Sequence, residues 1–202
     1  MKRVIRRLAK CNSQSFDDRT IGFGVQSQPE RDNCVNYKQF RAFQYLNQTQ
    51  LQSFVNACQE IFIPAGQRIV QQDSQGNQIF FVLEGDVQVL LETPTGKKEL
   101  SRITAPTVLG EISFFSGEPN SANVMTLTQV RSLVMPFEVF RQRLHKGDAA
   151  SSIVMLNMAE AIAQRASAMT RKVSELYSHQ PDGKVSELQS ASKSLFGEWS
   201  FI

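Results

Sequence analysis

The segment from Val108 to Val124, VLGEISFFSGEPNSANV, has residue types and spacing suited to binding a small anion. It opens on Gly-Glu at 110–111, continues through a short aromatic-rich turn and closes on Pro-x-Ser-Ala at 119–122. Backbone N–H groups at the start of a short helix over 112–115 would face an anion. A phosphate cradle normally also contains a cation, but the residue after Pro119 is the neutral Asn120. The segment therefore predicts either a phosphate site that works differently or the shell of one that no longer binds.

Histidine usage argues against catalysis. The chain has two histidines, His145 and His179, and both lie outside the strand-rich region described below. A metal-dependent enzyme on a β-roll needs several histidines and a carboxylate on facing strands. Two such histidines also do not build a Ser-His-Asp or Cys-His arrangement. The sequence therefore predicts a protein that is not an enzyme.

The composition predicts a soluble cytoplasmic protein. Of its 202 residues, 41% are hydrophobic and 20% charged, as in ordinary globular domains. No stretch approaches the roughly 18 apolar residues of a membrane span. Cys11, Cys34 and Cys58 are odd in number and have no metal-type spacing, which indicates reduced thiols in a cytosolic compartment. The net charge of +3 is too small to indicate nucleic-acid binding by itself.

Short strands surround the candidate anion site. Between Ile61 and Pro136, β-branched runs alternate with glycine-containing turns at a spacing of about 8–12 residues, which is typical of an all-β sandwich or barrel. The predicted strands cover residues 61–63, 67–71, 79–83, 87–91, 100–103, 124–127 and 131–135. We expect one compact β-roll, a double-stranded jelly roll.

Apolar residues follow a helical period both before and after this roll, which predicts the fold class α+β. Before the strands, apolar residues from Phe40 to Cys58 follow a helical period with a break near Asn47. After them, residues 137–144 predict a short helix, and Asp148 is a good N-cap for a long helix that reaches about Ser178.

The long helix carries a heptad pattern with small residues at one core position. Its apolar stripe could lie on the β-roll, but a helix this long has more stripe than one roll can cover. We therefore expect a homodimer through this helix. The seam residues are Met155, Ala159, Ile162, Ala166, Met169, Val173 and Leu176.

These patterns divide the chain into a basic, irregular arm at 1–37, a domain at 38–178 that includes the long helix, and a tail at 179–202. Basic residues on one face of residues 2–10 indicate either a solvated tail or a surface helix that contacts anionic lipid or an acidic partner. The basic stripe and the aromatic cluster of Phe196, Trp199 and Phe201 are candidate partner contacts.

With helices, a glycine-punctuated β-roll and a long dimer-type helix in this order, the chain resembles the cyclic nucleotide-binding domain family. That family includes the regulatory half of the catabolite activator proteins and domains of cyclic-nucleotide-gated channels and kinases. The resemblance runs from about Phe40 to Met169. It rests on Pro-Ala-Gly at 64–66, Leu-Glu-Gly-Asp-Val at 83–87 and Gly-Glu at 110–111, which stand in the expected order. The loop at 72–77 resembles the family's acidic glycine turn, with Asp73 in place of its first glycine.

The resemblance implies a role for each residue of the candidate site. Gly110 would let the backbone approach the sugar of a bound nucleotide, and Glu111 would accept a hydrogen bond from the ribose 2′-hydroxyl. The phosphate would be held at the start of the short helix and after Pro119, by Ile112, Ser113, Ser121 and Ala122.

Asn120 aligns with the family's phosphate-binding arginine. Charge-assisted hydrogen bonds contribute about 1.5–3 kcal/mol, against about 1 kcal/mol for neutral ones. The exchange could therefore weaken phosphate binding by about 1–3 kcal/mol, which corresponds to tens- to hundreds-fold in affinity. Arg102 and Arg131 flank the segment in sequence and are the candidate substitutes for this cation.

Two functions follow. The first is a stand-alone regulatory module that binds cyclic AMP or cyclic GMP weakly, or another ligand, and acts through an unidentified protein partner. The second is a ligand-free dimeric scaffold or adaptor with the same fold. The family's transcription factors continue into a helix-turn-helix module, and residues 171–202 are too few for one, so specific DNA binding is not expected.

Overall fold

Two short 3₁₀ turns, Tyr37–Gln39 and Arg41–Phe43, begin the part of the chain that the computed structural model describes, residues 37–178. The predicted basic stripe at 2–10, the irregular arm before residue 37 and the aromatic tail at 179–202 lie outside the described residues. Within 37–178, no helix combines the length and the apolar character that crossing a membrane requires.

Helix α1, Gln48–Ala57, begins at a reciprocal cap. Asn47 Oδ1 accepts a hydrogen bond from the Gln50 backbone N–H, and Gln50 Oε1 accepts one from the Asn47 N–H, both at 2.9 Å. Because this capping box satisfies amides that have no partner inside the helix, α1 starts at this point. The break predicted near Asn47 is therefore confirmed.

In the part of the chain that the structure describes, eight antiparallel strands form two four-stranded sheets, with strand orders β1-β8-β3-β6 and β2-β7-β4-β5. The β-roll predicted from the sequence is confirmed. One strand, β6, was not predicted, because three residues directly after Pro106 give no periodic signal. The strands are β1 Gln59–Ile63, β2 Arg68–Val70, β3 Gln78–Glu84, β4 Asp86–Thr93, β5 Gly96–Thr104, β6 Thr107–Leu109, β7 Asn123–Thr126 and β8 Val130–Pro136.

Strand β3 separates two hydrophobic clusters because successive side chains of a strand point to opposite faces. Val82 belongs to an aliphatic cluster drawn from both sheets, with Val70, Val87, Leu109, Val124 and Val130. Its neighbour Phe81 belongs to a larger cluster shared with the helices. Phe81 meets Phe54 of α1 edge to face, with ring centroids 5.4 Å apart. Because β3 is packed on both faces, its ends are held in place, and its first residue, Gln78, lines the candidate site described below.

Three more helices lie within the described residues: α2 Glu111–Ser116, α3 Phe137–His145 and α4 Ala149–Ser178. Asp148 caps α4, as predicted, since its Oδ2 accepts hydrogen bonds from the Ser151 N–H and from Arg143 Nη2, both at 2.9 Å. Burial raises the pKa of the Asp148 carboxyl, but the Ser151 hydrogen bonds and the Arg143 charge outweigh it, so the pKa is lowered.

The chain divides into two compact units at Met158 and Ala159, inside α4. In the first unit, the buried Asn157 amide donates to the carbonyl oxygens of Ala42 at 3.1 Å and Gln44 at 2.8 Å. Met155 packs against the helical core cluster of its own chain, although the heptad pattern assigned it to the dimer seam. The described part of the second unit is helix α4 from Ala159 onward.

Candidate ligand site

Gly110 makes the sharp turn from β6 into α2. Its φ is +82°, and a Cβ at this position would lie 2.5 Å from the carbonyl oxygen of Gln78. A side chain would therefore meet both left-handed backbone strain and a steric clash. Glycine lets the start of α2 lie directly against the start of β3.

Helix α2 is anchored by one face. Glu111 and Ser113 are each 4% exposed, while Phe114 packs edge to face against Phe137 with ring centroids 5.2 Å apart. The Arg141 guanidinium lies over the Phe114 ring at 5.3 Å. The opposite face is half exposed and carries Ile112 and Phe115. The candidate site is thus attached to α3 through aromatic packing.

The Asn120 side chain is occupied by hydrogen bonds within the protein. Its Nδ2 donates to the carbonyl oxygen of Gln71 at 3.1 Å and to Ser74 Oγ at 3.2 Å. Its Oδ1 accepts a hydrogen bond from Ser113 Oγ at 2.9 Å. The resemblance aligns this residue with a phosphate-binding arginine, but in the structure both ends of its amide already have partners.

These bonds tie residues 71–77, which we name the β2–β3 loop, to the segment around α2. The backbone adds two more bonds, from the Asp73 N–H to the Asn120 carbonyl at 2.8 Å and from the Asn120 N–H to the Ser74 carbonyl at 2.9 Å. Gly76 fits closely here, since a Cβ on it would lie 2.9 Å from Ser113 Cβ. The loop is therefore held against α2 rather than standing away from it.

A cavity of about 260 Å³ lies beside this junction. Of the predicted site residues, Gly110 and Asn120 line it; Glu111, Ile112, Ser113, Ser121 and Ala122 are not among its lining residues. The described residues that line it include no charged side chain. They are Ile69, Val70, Gln71, Ser74, Gln75, Gly76, Asn77, Gln78, Phe80, Gly110 and Asn120.

Neither arginine named as a substitute cation lines the cavity. Arg102 is exposed on β5 and pairs with Glu99 through two hydrogen bonds of 2.9 and 3.2 Å. Arg131 on β8 pairs with Glu60 at 2.6 Å and with Glu84 at 3.2 Å. Burial lowers the pKa of Arg131, but the hydrogen bond and charge of Glu60 outweigh it and raise the pKa overall. Both charges are therefore paired with carboxylates.

Sequence reasoning did not assign the β2–β3 loop to the site. The resemblance identified this loop as a glycine turn, but gave no ligand role to Gln71, Ser74 or Asn77. Their shared signal is a run of amides and hydroxyls without apolar periodicity, QQDSQGNQ at 71–78. Such a run is equally typical of an ordinary surface turn, so the sequence could not distinguish the two.

Comparison with known proteins identifies the fold. Residues 60–147 match the sequence model of the family described as cyclic nucleotide-binding domain. The chain is 33% identical over 96 residues to the cGMP-dependent protein kinase egl-4 of Caenorhabditis briggsae, covering 48% of this chain and 12% of the kinase. It is 24% identical over 100 residues to a CRP-like cAMP-activated global transcriptional regulator of Mycobacterium tuberculosis, covering 49% of this chain and 45% of the regulator.

The structural comparison agrees. The catabolite activator protein of Thermus thermophilus superimposes with a TM-score of 0.60 at 19% identity, covering 68% of this chain and 63% of that one. At this identity the similarity shows the fold. This chain spans less than half of either curated relative named above. The predicted resemblance is confirmed: residues 60–147 match the cyclic nucleotide-binding domain model, and the fold is shared with the catabolite activator protein.

Proposed function

We propose that this chain is a regulatory module that binds cyclic AMP or cyclic GMP weakly or not at all and acts through a partner protein. Residues 60–147 match the cyclic nucleotide-binding domain family, and a domain of this kind supports a regulatory role. Its regulatory effect would then depend on a second protein that binds the domain.

The observation that carries this proposal is the position of the Asn120 side chain. The residue that the resemblance aligns with the phosphate-binding arginine is neutral, and its amide bonds to Gln71, Ser74 and Ser113. A phosphodiester entering here would lose hydration without meeting a cation among the described lining residues. It would also have to displace the bonds that hold the β2–β3 loop.

Calorimetry with both cyclic nucleotides tests the proposal on three proteins: wild type, Asn120→Arg and Asn120→Ala. We expect wild-type dissociation constants weaker than about 100 μM. Asn120→Ala removes the same side-chain bonds as the arginine variant but adds no charge, and is the matched control. Asn120→Arg should bind at least about 1 kcal/mol, or fivefold, more tightly than wild type, with most of this gain absent from Asn120→Ala.

Two results would contradict the proposal. Micromolar binding by wild type would mean that another group carries the phosphate. An arginine variant that folds, as judged by circular dichroism, but gains no affinity would mean that the pocket is blocked for reasons other than charge. The ligand-free scaffold would then be the better description.

The scaffold alternative has its own supporting observation on α4. From residue 163 to 172 every residue is exposed, and Met169 is 71% exposed despite its apolar side chain. Ala159 and Ile162 are half buried, and Ala166 is exposed. An apolar stripe of this kind would be covered by the same stripe of a second copy. The homodimer is therefore part of the proposal in either form.

A further inference from the structure

Three amide side chains at the cavity make no hydrogen bond to another residue of the described range. Gln71, Asn77 and Gln78 all line the cavity and are exposed. Within residues 37–178, their backbone groups take part in the fold, but their side-chain amides bond to no other residue. Each amide offers two N–H donors and a carbonyl acceptor. The cavity therefore presents several neutral donors and acceptors that a ligand could use.

The cavity also has an apolar wall. Ile69, Val70 and Phe80 line it and pack in or against the aliphatic cluster between the sheets. Phe80 is half buried, so part of its ring remains accessible. An aromatic face next to hydrogen-bonding groups favours a ligand that is flat and apolar on one side and polar at its edges.

The same lining disfavours an anion. None of the described lining residues is charged. Moving an ionised group out of water without a paired charge costs more free energy than moving a neutral group does. An uncharged ligand would avoid this cost. It would also leave the Asn120 bonds to Gln71 and Ser74 intact, because it has no phosphate to seat beside them.

We propose that this cavity binds an uncharged heteroaromatic ligand of the nucleoside class and discriminates against the phosphorylated form. Amide side chains pair with the donor and acceptor edges of nucleobases, and sugar hydroxyls pair with amides equally well. The cavity volume of about 260 Å³ lies just below the range of about 300–1,000 Å³ typical of ligand pockets, which suits a small ligand. This inference rests on the proposed function, because it names the ligand class of the same site.

Matched ligand pairs isolate the phosphate charge. Adenosine and cyclic AMP share a base and a sugar, as do guanosine and cyclic GMP, so each pair differs in the cyclic phosphate. Titration calorimetry of the full chain with all four compounds should show at least one nucleoside binding about tenfold or more tightly than its cyclic nucleotide. A raised melting midpoint with that nucleoside should accompany it.

Variants then locate the site. Gln71→Ala combined with Asn77→Ala removes two free amides while keeping the backbone carbonyls that accept from Asn120 and Phe137. It should weaken nucleoside binding about two- to tenfold for each amide lost. Gln129→Ala removes an exposed amide away from the cavity and should change the affinity less than twofold.

The outcomes separate this inference from the proposed function. Tight binding of cyclic AMP or cyclic GMP would overturn both. If the nucleosides fail to bind at several millimolar while the cyclic nucleotides also stay weak, the nucleoside inference is wrong and the weak-binding proposal stands. Equal affinity for nucleoside and cyclic nucleotide would overturn the discrimination. A double variant that binds like wild type would mean that the nucleoside binds elsewhere.

Discussion

Ser113 Oγ donates a hydrogen bond of 2.9 Å to Asn120 Oδ1. This bond joins the buried face of α2 to Asn120, which lies three residues before the start of β7. Through the other end of the Asn120 amide the connection continues to Gln71, 49 positions earlier in the chain. One neutral side chain thus links three segments of the candidate site. In the family resemblance the same position belongs to an arginine that binds a ligand.

The first prediction concerns stability. Asn120→Ala should lower the free energy of unfolding by about 1–3 kcal/mol, because it removes three side-chain hydrogen bonds and leaves the buried Ser113 hydroxyl without its acceptor. Urea denaturation followed by circular dichroism measures this. Ser121→Ala, at the exposed neighbouring position, is the control and should change stability by less than about 0.5 kcal/mol. Equal stability of Asn120→Ala and wild type would contradict the assigned structural role.

The second prediction compares the two glycines that flank α2. Gly110 and Gly117 have φ of +82° and +75°, so alanine would be strained at both. A Cβ on Gly110 would also lie 2.5 Å from the Gln78 carbonyl, whereas a Cβ on Gly117 meets nothing within 4 Å. Gly110→Ala should therefore cost at least about 1 kcal/mol more than Gly117→Ala. Similar losses in urea denaturation would show that the β6–α2 turn can move away from β3.

How much of the fold and the candidate site could be predicted from the sequence depended on how far apart in the chain the interacting residues lie. The long helix was placed from Asp148 to Ser178 because a cap and a heptad pattern are local signals. The Asn120 bonds to Gln71 and Ser74 could not be placed, because an amide carries no signal for which distant carbonyl it will meet. Strand β6 was missed for a related reason: it pairs with residues of β3 that lie 25 or more positions earlier in the chain.

The third prediction is a pH dependence at Asp148. Its folded-state pKa is below the unfolded value, so its contribution is complete well above about pH 4 and is lost as pH falls through the folded-state pKa. At pH 7, Asp148→Ala should lower stability by about 1–2 kcal/mol through loss of the α4 cap. Asp148→Asn keeps an equally good cap and removes the charge, so it should lower stability at pH 7 by less than Asp148→Ala does. This difference in stability from wild type should vanish in acid, where the wild-type carboxyl is also uncharged.

The measurement for Asp148 is urea denaturation of wild type and both variants between pH 7 and pH 2.5. The gap between wild type and Asp148→Asn should narrow as the pH falls below about 4. A gap that stays constant over this range would show that the Arg143 pairing and the Ser151 bonds do not lower the pKa of the carboxyl.

The fourth prediction concerns the Cys58 thiol. Burial raises its pKa to about 12 against the opposing charge of Arg143, and its Sγ lies 3.4 Å from the carbonyl oxygen of Phe54. At pH 8 the thiolate, which is the reactive form, should be on the order of one part in ten thousand. In a Cys11→Ser/Cys34→Ser protein, iodoacetamide should label Cys58 slowly in native buffer and readily in denaturant. Equal rates in both conditions would contradict the burial of this thiol.

The last prediction is the homodimer through α4. A charge placed in an apolar helix seam must be buried or must separate the helices, so Ile162→Glu combined with Met169→Glu should convert a dimer to a monomer. Gln164→Glu combined with Ser167→Glu adds the same charge at exposed positions outside the seam, and this control should remain dimeric. Light scattering at tens of micromolar distinguishes the two.

Because Met155 packs on the core of its own chain, a Met155 substitution would confuse dissociation with unfolding, and the seam is better tested from Ile162 onward. A wild-type protein that is already monomeric at this concentration would show that the predicted dimer seam on α4 is wrong.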